Sequence, residues 1–223
     1  MSMFSARPKA VDYSLYLIAD ADFASGRDLV PLIEAAVRGG VTVVQLRAKG
    51  FPFHDFLELA RRTAASLDKR HIPLIINDQV DVALACGAAG VHLGQDDMPP
   101  AIVRKVLSKG TVIGVSVNTP EEALEAERQG ADYVGAGPVF RTATKATDLT
   151  VLGPEGIRRI KAGLHIPVVA VGGITVENAR AVREAGADGI AVVSAILGGP
   201  DPQKAARELK RAIGDLSPSW REI

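Results

Sequence analysis

The sequence is poor in cysteine. Cys86 is the single cysteine among 223 residues, so the chain cannot form a disulfide within itself. It lies in the apolar stretch VALACGAAG, where a cysteine is more often a small core residue than a nucleophile. No His/Cys cluster has the spacing of a zinc site.

An excess of charge is also missing. Lys plus Arg and Asp plus Glu number 26 each, which gives a formal net charge of zero. Nucleic-acid binding usually needs a basic face, so no nucleic-acid partner is expected. No stretch reaches the roughly 18 apolar residues of a membrane span, and no apolar run before Tyr13 is long enough for a signal peptide. We therefore expect a cytoplasmic protein with no membrane partner.

Short Val/Ile-rich runs alternate with longer segments of helical period, a pattern typical of parallel βα units. Helical examples are DLVPLIEAAVRGG from Asp28 and PEEALEAERQGA from Pro120, each with a glycine where the helix should stop. The predicted strands are YSLYLIAD from Tyr13, VTVVQLRA from Val41, PLIIND from Pro73, GVHLG from Gly90, TVIGVSV from Thr111, DYVGAGPVF from Asp132, PVVAVGGI from Pro167 and GIAVVSAIL from Gly189.

Eight such units predict an α/β fold, a single-domain (β/α)8 TIM barrel over residues 13–215. Residues 1–12 would be an N-terminal extension, and residues 216–223 a C-terminal tail carrying Trp220. A doubly wound open sheet is the alternative fold. A monomer and a homo-oligomer are both compatible with the sequence.

In a barrel of this kind the loops after the strands open on one face, so polar residues at strand ends should gather there. The candidates, in chain order, are Gln45, Arg47, Lys49, Asn77, Asp78, Gln95, Asp96, Asp97, Ser116, Asn118, Gly172, Gly173 and Ser194. Alternation along the strand lets Gln45, Arg47 and Lys49 point the same way. The alternative for Arg47 and Lys49 is an ordinary pairing with surface acids.

The segment DYVGAGPVFRTATK from Asp132 predicts an anion-binding loop. Thr142 and Thr144 can donate hydrogen bonds, and Arg141 and Lys145 add positive charge. A solvated basic turn would have the same composition. The VGGI and VVSAI segments from Val171 and Val192 would follow strands seven and eight, where many barrels bind phosphate. Alternatively, the two glycines only mark a turn of the backbone.

Asp78 and Asp97 follow neighbouring predicted strands. Either could be a helix N-cap. Two carboxylates with cations nearby also suit Mg²⁺, which takes one or two carboxylates and completes its shell with water and phosphate oxygens. His92 has no assigned role and is interpreted as a hydrogen-bonded interior histidine.

The segments QLRAK, IND, GVHLGQDD, GVSV, GADYVGAGPVFRTATK, VAVGGI and AVVSAI, in this order and spacing, closely resemble the thiamin phosphate synthase family. The resemblance runs from about Tyr13 to Gly214. It implies a Mg²⁺-dependent enzyme that couples 4-amino-2-methyl-5-(diphosphooxymethyl)pyrimidine to 4-methyl-5-(2-phosphoethyl)thiazole or its 2-carboxylate. Pyrophosphate is released, and the 2-carboxylate also loses carbon dioxide.

The resemblance also implies roles for individual residues. Asp78 and Asp97 would hold Mg²⁺, and the catalytic groups would be Arg47, Lys49, Ser116 and Lys145. The pyrimidine pyrophosphate would be bound by Gln45, Leu46, Arg47, Ala48, Lys49, Asn77, Ser116 and Lys145. The thiazole phosphate would be bound by Thr142, Ala143, Thr144, Gly173, Val193 and Ser194. The chain departs from the family at Arg141, where proline is usual, and at Asn118, where histidine is frequent.

Two other functions stay open. One is a thiazole tautomerase on the same scaffold, an isomerase that needs neither Mg²⁺ nor pyrophosphate. That relative has a histidine where this chain has Pro138 and lacks the aspartate matching Asp78, so both positions favour the synthase. The other is a phosphate-binding module that senses thiamin precursors without catalysis, and retention of the acidic pair with Lys145 argues against it.

Overall fold

The computed structural model of the chain describes residues 11–142 and 150–214, and in that part eight parallel strands close into a barrel in the order β1 to β8. The strands are β1 (Leu15–Asp20), β2 (Val43–Arg47), β3 (Leu74–Asn77), β4 (Gly90–Leu93), β5 (Val112–Val117), β6 (Tyr133–Ala136), β7 (Val168–Val171) and β8 (Gly189–Val192). The helices are α1 (Ala21–Ala24), α2 (Leu29–Arg38), α3 (Phe53–Asp68), α4 (Val80–Cys86), α5 (Pro100–Val106), α6 (Pro120–Arg128), α7 (Gly153–Ala162), α8 (Ala179–Glu184), α9 (Ser194–Leu197) and α10 (Pro202–Ile213).

Closure of the sheet decides between the two predicted architectures. Strand β1 pairs in parallel with β8, with Leu15 opposite Ile190 and Leu17 opposite Val192. An open sheet would leave these two strands as unpaired edges. The predicted (β/α)8 barrel is confirmed, and the open-sheet alternative is wrong.

The last predicted strand extends too far. Strand β8 ends at Val192, and Ser194–Leu197 forms the short helix α9 instead of continuing the strand. Ile196 and Leu197 are both fully buried, so they pack into the core from a helix. A short apolar run such as VVSAIL fits a strand and a buried helix equally well, which explains the error.

The predicted helix starts carry side-chain caps. Asp28 accepts a hydrogen bond from Val30 N at the start of α2, and Thr119 accepts one from Glu122 N at the start of α6. These bonds satisfy backbone donors that have no partner within the helix. Helix α10 is long and ends near Gly214, whose φ is 67°. No helix within residues 11–142 and 150–214 is long and apolar enough to cross a membrane.

The strands separate two apolar cores. Side chains that point outward from the barrel pack with the helices in one large cluster, which includes Leu17 and Leu46. Side chains that point inward form a smaller cluster, made of Tyr13, Tyr16, Val43, Ile75, Val112, Tyr133, Val169 and Ala191. The barrel interior is therefore packed below its mouth, and three tyrosines fill much of it.

Gly114 makes room for one of these tyrosines. A Cβ atom at position 114 would lie 2.1 Å from Cζ of Tyr133. The Tyr133 ring is fully buried, and its centroid lies 4.7 Å from that of Tyr13. A larger residue on β5 would therefore displace a ring that has little free space around it.

Replacing Gly114 by alanine should destabilise the protein. Because the added methyl group meets the buried Tyr133 ring, we expect the free energy of unfolding to fall by about 1–3 kcal/mol. Urea unfolding followed by circular dichroism measures the change. Gly199→Ala is the matched control, since a Cβ there meets no atom within 4 Å. Equal stability of the two variants would contradict this account of Gly114.

Candidate active site

A cavity of about 200 Å³ opens where the strands end, at the mouth of the barrel. Gln45, Arg47, Asn77, Ser116, Thr142, Gly173, Val193 and Ser194, all site candidates from the sequence, line it. They come from both sides of the barrel, since β3 and β7 are four strands apart in a closed sheet of eight. The fold thus brings distant segments of the chain to one concave site.

Arg47, at the end of β2, is held by a neighbour that the sequence analysis missed. Its Nη1 donates to Oδ2 of Asp20, at the end of β1. Asp20 is 4% exposed, and its other oxygen accepts a hydrogen bond from Phe23 N at the start of α1. The pair holds the Arg47 guanidinium at the cavity wall. Strand alternation could have found Asp20, because Tyr16, Ile18 and Asp20 share one face and all line the cavity.

An acidic pair lies beside this wall. Asp97 interacts with Asp78, and Lys49 Nζ lies 3.4 Å from Oδ2 of Asp78. Burial and then the neighbouring Asp97 raise the pKa of Asp78, while Lys49 opposes the rise. Asp78 also has a φ of 60°, a conformation that residues other than glycine rarely adopt. The fold therefore holds two carboxylates together against their repulsion.

Helix capping does not account for the acidic pair. The N-caps of α4 and α5 are Gln79 and Pro99, and neither helix start has a side-chain cap. Asp97 instead accepts a hydrogen bond of 2.6 Å from Gly94 N within the loop after β4. The N-cap alternative for Asp78 and Asp97 is wrong.

The acidic pair fits a hard divalent cation. Both residues offer carboxylate oxygens, and Lys49 already places one positive charge beside Asp78. Across the residues that the structure describes, no group of three or more His, Cys, Asp or Glu side chains could hold a metal. A two-carboxylate site suits Mg²⁺, which keeps several waters and takes phosphate oxygens from a substrate.

The opposite wall is built from backbone. Gly172 and Gly173, after β7, have φ values of 99° and 64°. A Cβ at position 173 would lie 2.5 Å from the carbonyl oxygen of Arg141, so glycine is required both by its φ and by the space. The Nδ2 of Asn178 donates to the carbonyl oxygen of Gly173 over 3.0 Å and fixes the turn.

Gln95 and Asn118 hold backbone near the mouth of the barrel. Gln95 Nε2 donates to the carbonyl oxygen of Ser116 over 2.6 Å. Asn118 Nδ2 donates to the carbonyl oxygens of Gly137 and Thr150, each over 3.0 Å. Asn118, one of the two departures from the family pattern, thus joins backbone on both sides of the loop after β6. Arg141, the other departure, is exposed.

Some predicted site residues do not present side chains to the cavity. The side chains of Leu46 and Ala48 belong to the core between strands and helices, so any ligand contact from them would come from the backbone. Ala143, Thr144 and Lys145 lie outside the described residues, as does Trp220. Their predicted roles stay predictions from the sequence.

The floor of the cavity is polar. His92 is 8% exposed, with Nδ1 at 2.9 Å from the Tyr133 hydroxyl and Nε2 at 2.9 Å from Ser116 Oγ. The interpretation of His92 as a hydrogen-bonded interior residue is confirmed. Tyr16 and Tyr133 also line the floor, and the sequence analysis did not identify either of them as a site residue.

Comparison with known proteins gives a consistent result. The family model described as thiamine monophosphate synthase matches residues 15–196. A thiamine-phosphate synthase from Clostridium tetani is 47% identical over 201 residues, covering 90% of this chain and 96% of the relative. One from Syntrophomonas wolfei is 46% identical over 200 residues, covering 90% and 96%.

A solved structure extends the likeness to three dimensions. The thiamine phosphate pyrophosphorylase from Pyrococcus furiosus superposes with a TM-score of 0.83 at 40% identity, covering 91% of this chain and 96% of that one. The resemblance inferred from the sequence motifs is confirmed. Since the matches span the whole barrel and include the strands that form the cavity, the chain belongs to the thiamine monophosphate synthase family.

Proposed function

We propose that this protein is a thiamin phosphate synthase, which joins 4-amino-2-methyl-5-(diphosphooxymethyl)pyrimidine to 4-methyl-5-(2-phosphoethyl)thiazole or its 2-carboxylate and releases pyrophosphate. The observation that carries the proposal is the division of the cavity. Arg47 and Asn77 line one side of the cavity, and Lys49 and Asp78 follow them in the chain. A glycine turn with the start of α9 lines the other side. A diphosphate needs the first and a single phosphate suits the second.

Stabilising the departing pyrophosphate would be the main electrostatic requirement of the reaction. Breaking its bond to the pyrimidine methylene leaves a highly charged anion, while the electron-rich aminopyrimidine ring delocalises the positive charge left on carbon. Arg47 and Lys49 would stabilise this anion, with Lys145 as a third cation predicted from the sequence. Arg47 is already oriented by Asp20, so it needs little rearrangement as the charge develops.

Asp78 and Asp97 would hold Mg²⁺ against the pyrophosphate, where the cation would neutralise charge on the leaving oxygens. Gln45, Asn77 and Ser116 would bind the remainder of the pyrimidine substrate. All three line the cavity. The displacement then needs no general base, because the thiazole nitrogen attacks as a neutral nucleophile.

The thiazole phosphate would occupy the opposite wall. Gly173, Val193 and Ser194 would bind it through backbone N–H groups and the Ser194 hydroxyl, together with the loop from Thr142 to Thr144. This placement keeps the two phosphorylated ends apart and brings the two rings together in the middle of the cavity. The cytoplasmic location and the oligomeric state stay predictions from the sequence.

The tautomerase alternative receives less support from the cavity. Pro138 lines it where that relative has a histidine, and proline cannot transfer a proton. The acidic pair also has no purpose in an isomerisation without pyrophosphate. A non-catalytic module would need no carboxylates held together at a raised pKa.

One assay separates the three functions. The purified protein is supplied with both substrates and Mg²⁺, and pyrophosphate release is measured alongside thiamin phosphate. We expect both products in equal amounts, and neither when one substrate is omitted. Binding without turnover, or isomerisation of the thiazole carboxylate alone, would contradict the proposal.

Asp78→Asn should have opposite effects on stability and on metal binding. Because burial and Asp97 disfavour the charged form of Asp78, its folded-state pKa is raised, and the ionised group costs stability above its unfolded pKa. The metal-free variant should therefore melt at a higher temperature than wild type near neutral pH. Its Mg²⁺ midpoint for activity with both substrates should rise at least about tenfold, or about 1.4 kcal/mol.

Calorimetric melting curves with and without Mg²⁺ and pyrophosphate measure the first effect, and a metal titration of activity measures the second. Asp96→Asn is the matched control, because it removes the same charge from an exposed position beside Asp97. An unchanged metal titration in Asp78→Asn would remove Asp78 from the metal site.

A variant in each wall of the cavity should affect a different substrate. Arg47→Gln still offers a donor to Asp20 but loses the charge. We expect kcat/KM for the pyrimidine substrate to fall by an amount equivalent to about 1.5–3 kcal/mol. Ser194→Ala should raise only the KM for the thiazole phosphate, by a factor equivalent to the loss of about 0.5–1.5 kcal/mol of binding free energy. Steady-state kinetics with each substrate varied in turn checks both. Equal effects on both substrates from either variant would contradict the division of the cavity.

A further inference from the structure

A continuous line of hydrogen bonds crosses the inside of the barrel. Gln45 Nε2 donates to Tyr16 Oη over 2.9 Å, and the Tyr16 and Tyr133 hydroxyls lie 2.8 Å apart. The Tyr133 hydroxyl lies 2.9 Å from His92 Nδ1, and His92 Nε2 lies 2.9 Å from Ser116 Oγ. We call these five side chains the interior line. It joins Gln45 on β2 to Ser116 on β5, and both of these ends line the cavity.

The backbone is shaped to admit the interior line. Tyr16 and Tyr133 are 1% and 0% exposed, so their hydroxyls depend on protein partners. Glycine stands at two positions where a side chain would displace a ring of the line. A Cβ at Gly114 would lie 2.1 Å from the Tyr133 ring, and one at Gly135 would lie 2.9 Å from Cε1 of His92.

With Nε2 of Gln45 as the donor to Tyr16, the protons of the interior line all point from Gln45 toward Ser116. Burial raises the pKa of both Tyr16 and Tyr133, so each keeps its proton. Because Tyr16 accepts from Gln45, its own proton goes to Tyr133; the reverse would leave the Tyr16 proton without an acceptor among the described residues. Tyr133 then donates to His92 Nδ1, which leaves the imidazole proton on Nε2 for Ser116 Oγ.

This direction fixes what the two ends present to a ligand. The Gln45 amide uses its nitrogen in the line, so its oxygen is the group left to accept a hydrogen bond. Ser116 Oγ accepts from His92, so its own proton is left to donate. The cavity therefore presents an acceptor at Gln45 and a donor at Ser116.

We propose that Tyr16, Tyr133 and His92 are positioning residues that fix this acceptor and donor pattern, and that the pattern selects a 4-aminopyrimidine ring over a 4-oxopyrimidine ring. An aminopyrimidine offers an amino donor and unprotonated ring nitrogens, which match the acceptor at Gln45 and the donor at Ser116. An oxopyrimidine has a carbonyl acceptor in place of the amino donor and carries a proton on one ring nitrogen, so it cannot donate to the Gln45 oxygen from that position. The inference rests on the proposed function, because it assigns the specificity of the same pyrimidine site.

Tyr133→Phe tests the interior line at its centre, since it removes the hydroxyl but keeps the ring against Gly114. We expect kcat/KM for the aminopyrimidine pyrophosphate to fall about tenfold. The preference for this substrate over its 4-oxo analogue should fall with it, while the KM for the thiazole phosphate should not change. Tyr13→Phe is the matched control, because its ring stacks on Tyr133 but its hydroxyl is outside the interior line.

Nitrogen-15 NMR of the histidine side chains supplies a readout that does not need activity. Wild type should show His92 as the neutral tautomer protonated on Nε2, and Tyr133→Phe should lose that single tautomer. An unchanged tautomer and an unchanged amino-to-oxo preference would overturn the inference, as would equal losses in Tyr13→Phe. If the wild type releases no pyrophosphate, the proposed function fails, while the spectrum still decides whether the interior line sets the His92 proton.

Discussion

Closure of the parallel sheet is the constraint on which the rest of this molecule depends. Because β1 pairs with β8, the carboxyl ends of all eight strands meet at one mouth, and residues as far apart as Asp20 and Ser194 line the same cavity. Inward-facing side chains fill the barrel below that mouth, so the cavity floor is formed by core residues. The same side chains therefore pack the interior and line the cavity, most clearly Tyr133, which also supplies a hydroxyl to the interior line.

Two carboxylates lie together at the mouth, and their repulsion is an electrostatic energy that a bound cation would reduce. Asp78 and Asp97 are held together although burial and mutual repulsion raise the pKa of Asp78, and Asp78 adopts a positive φ as well. A fold selected for stability alone would not retain both features. On the same side of the mouth Arg47 is paired with Asp20, which holds a cation at the cavity wall. The opposite wall uses backbone and glycine instead, which suits a smaller charge.

Much of the fold was predictable, because periodicity and helix punctuation are local signals. The helices after Asp28 and Thr119 begin at the capping residues that the sequence offers. The error at Ser194–Leu197 arose because a short apolar run has no period of its own, and the surrounding core decided for a helix. Residues of the site with chemically distinctive side chains, such as Arg47 and Asp78, were recognisable from their position after strands. Strand alternation places Tyr16 and Asp20 on one face, but the partners that give Asp20, Tyr16 and Tyr133 their importance lie far away in the chain.

Strand ends, glycine turns and motif order are local features of the chain, so the sequence was enough to predict eight βα units and the thiamine monophosphate synthase family. The pairing of β1 with β8 then excluded the open sheet. Which side chains touch is visible only in the folded molecule. The pairing of Arg47 with Asp20, the contact of Asp78 with Asp97 and the line from Gln45 to Ser116 each join different strands. Hydrogen bonds and charge interactions act over a few ångströms in space. The number of residues between two positions in the sequence does not say whether they lie that close.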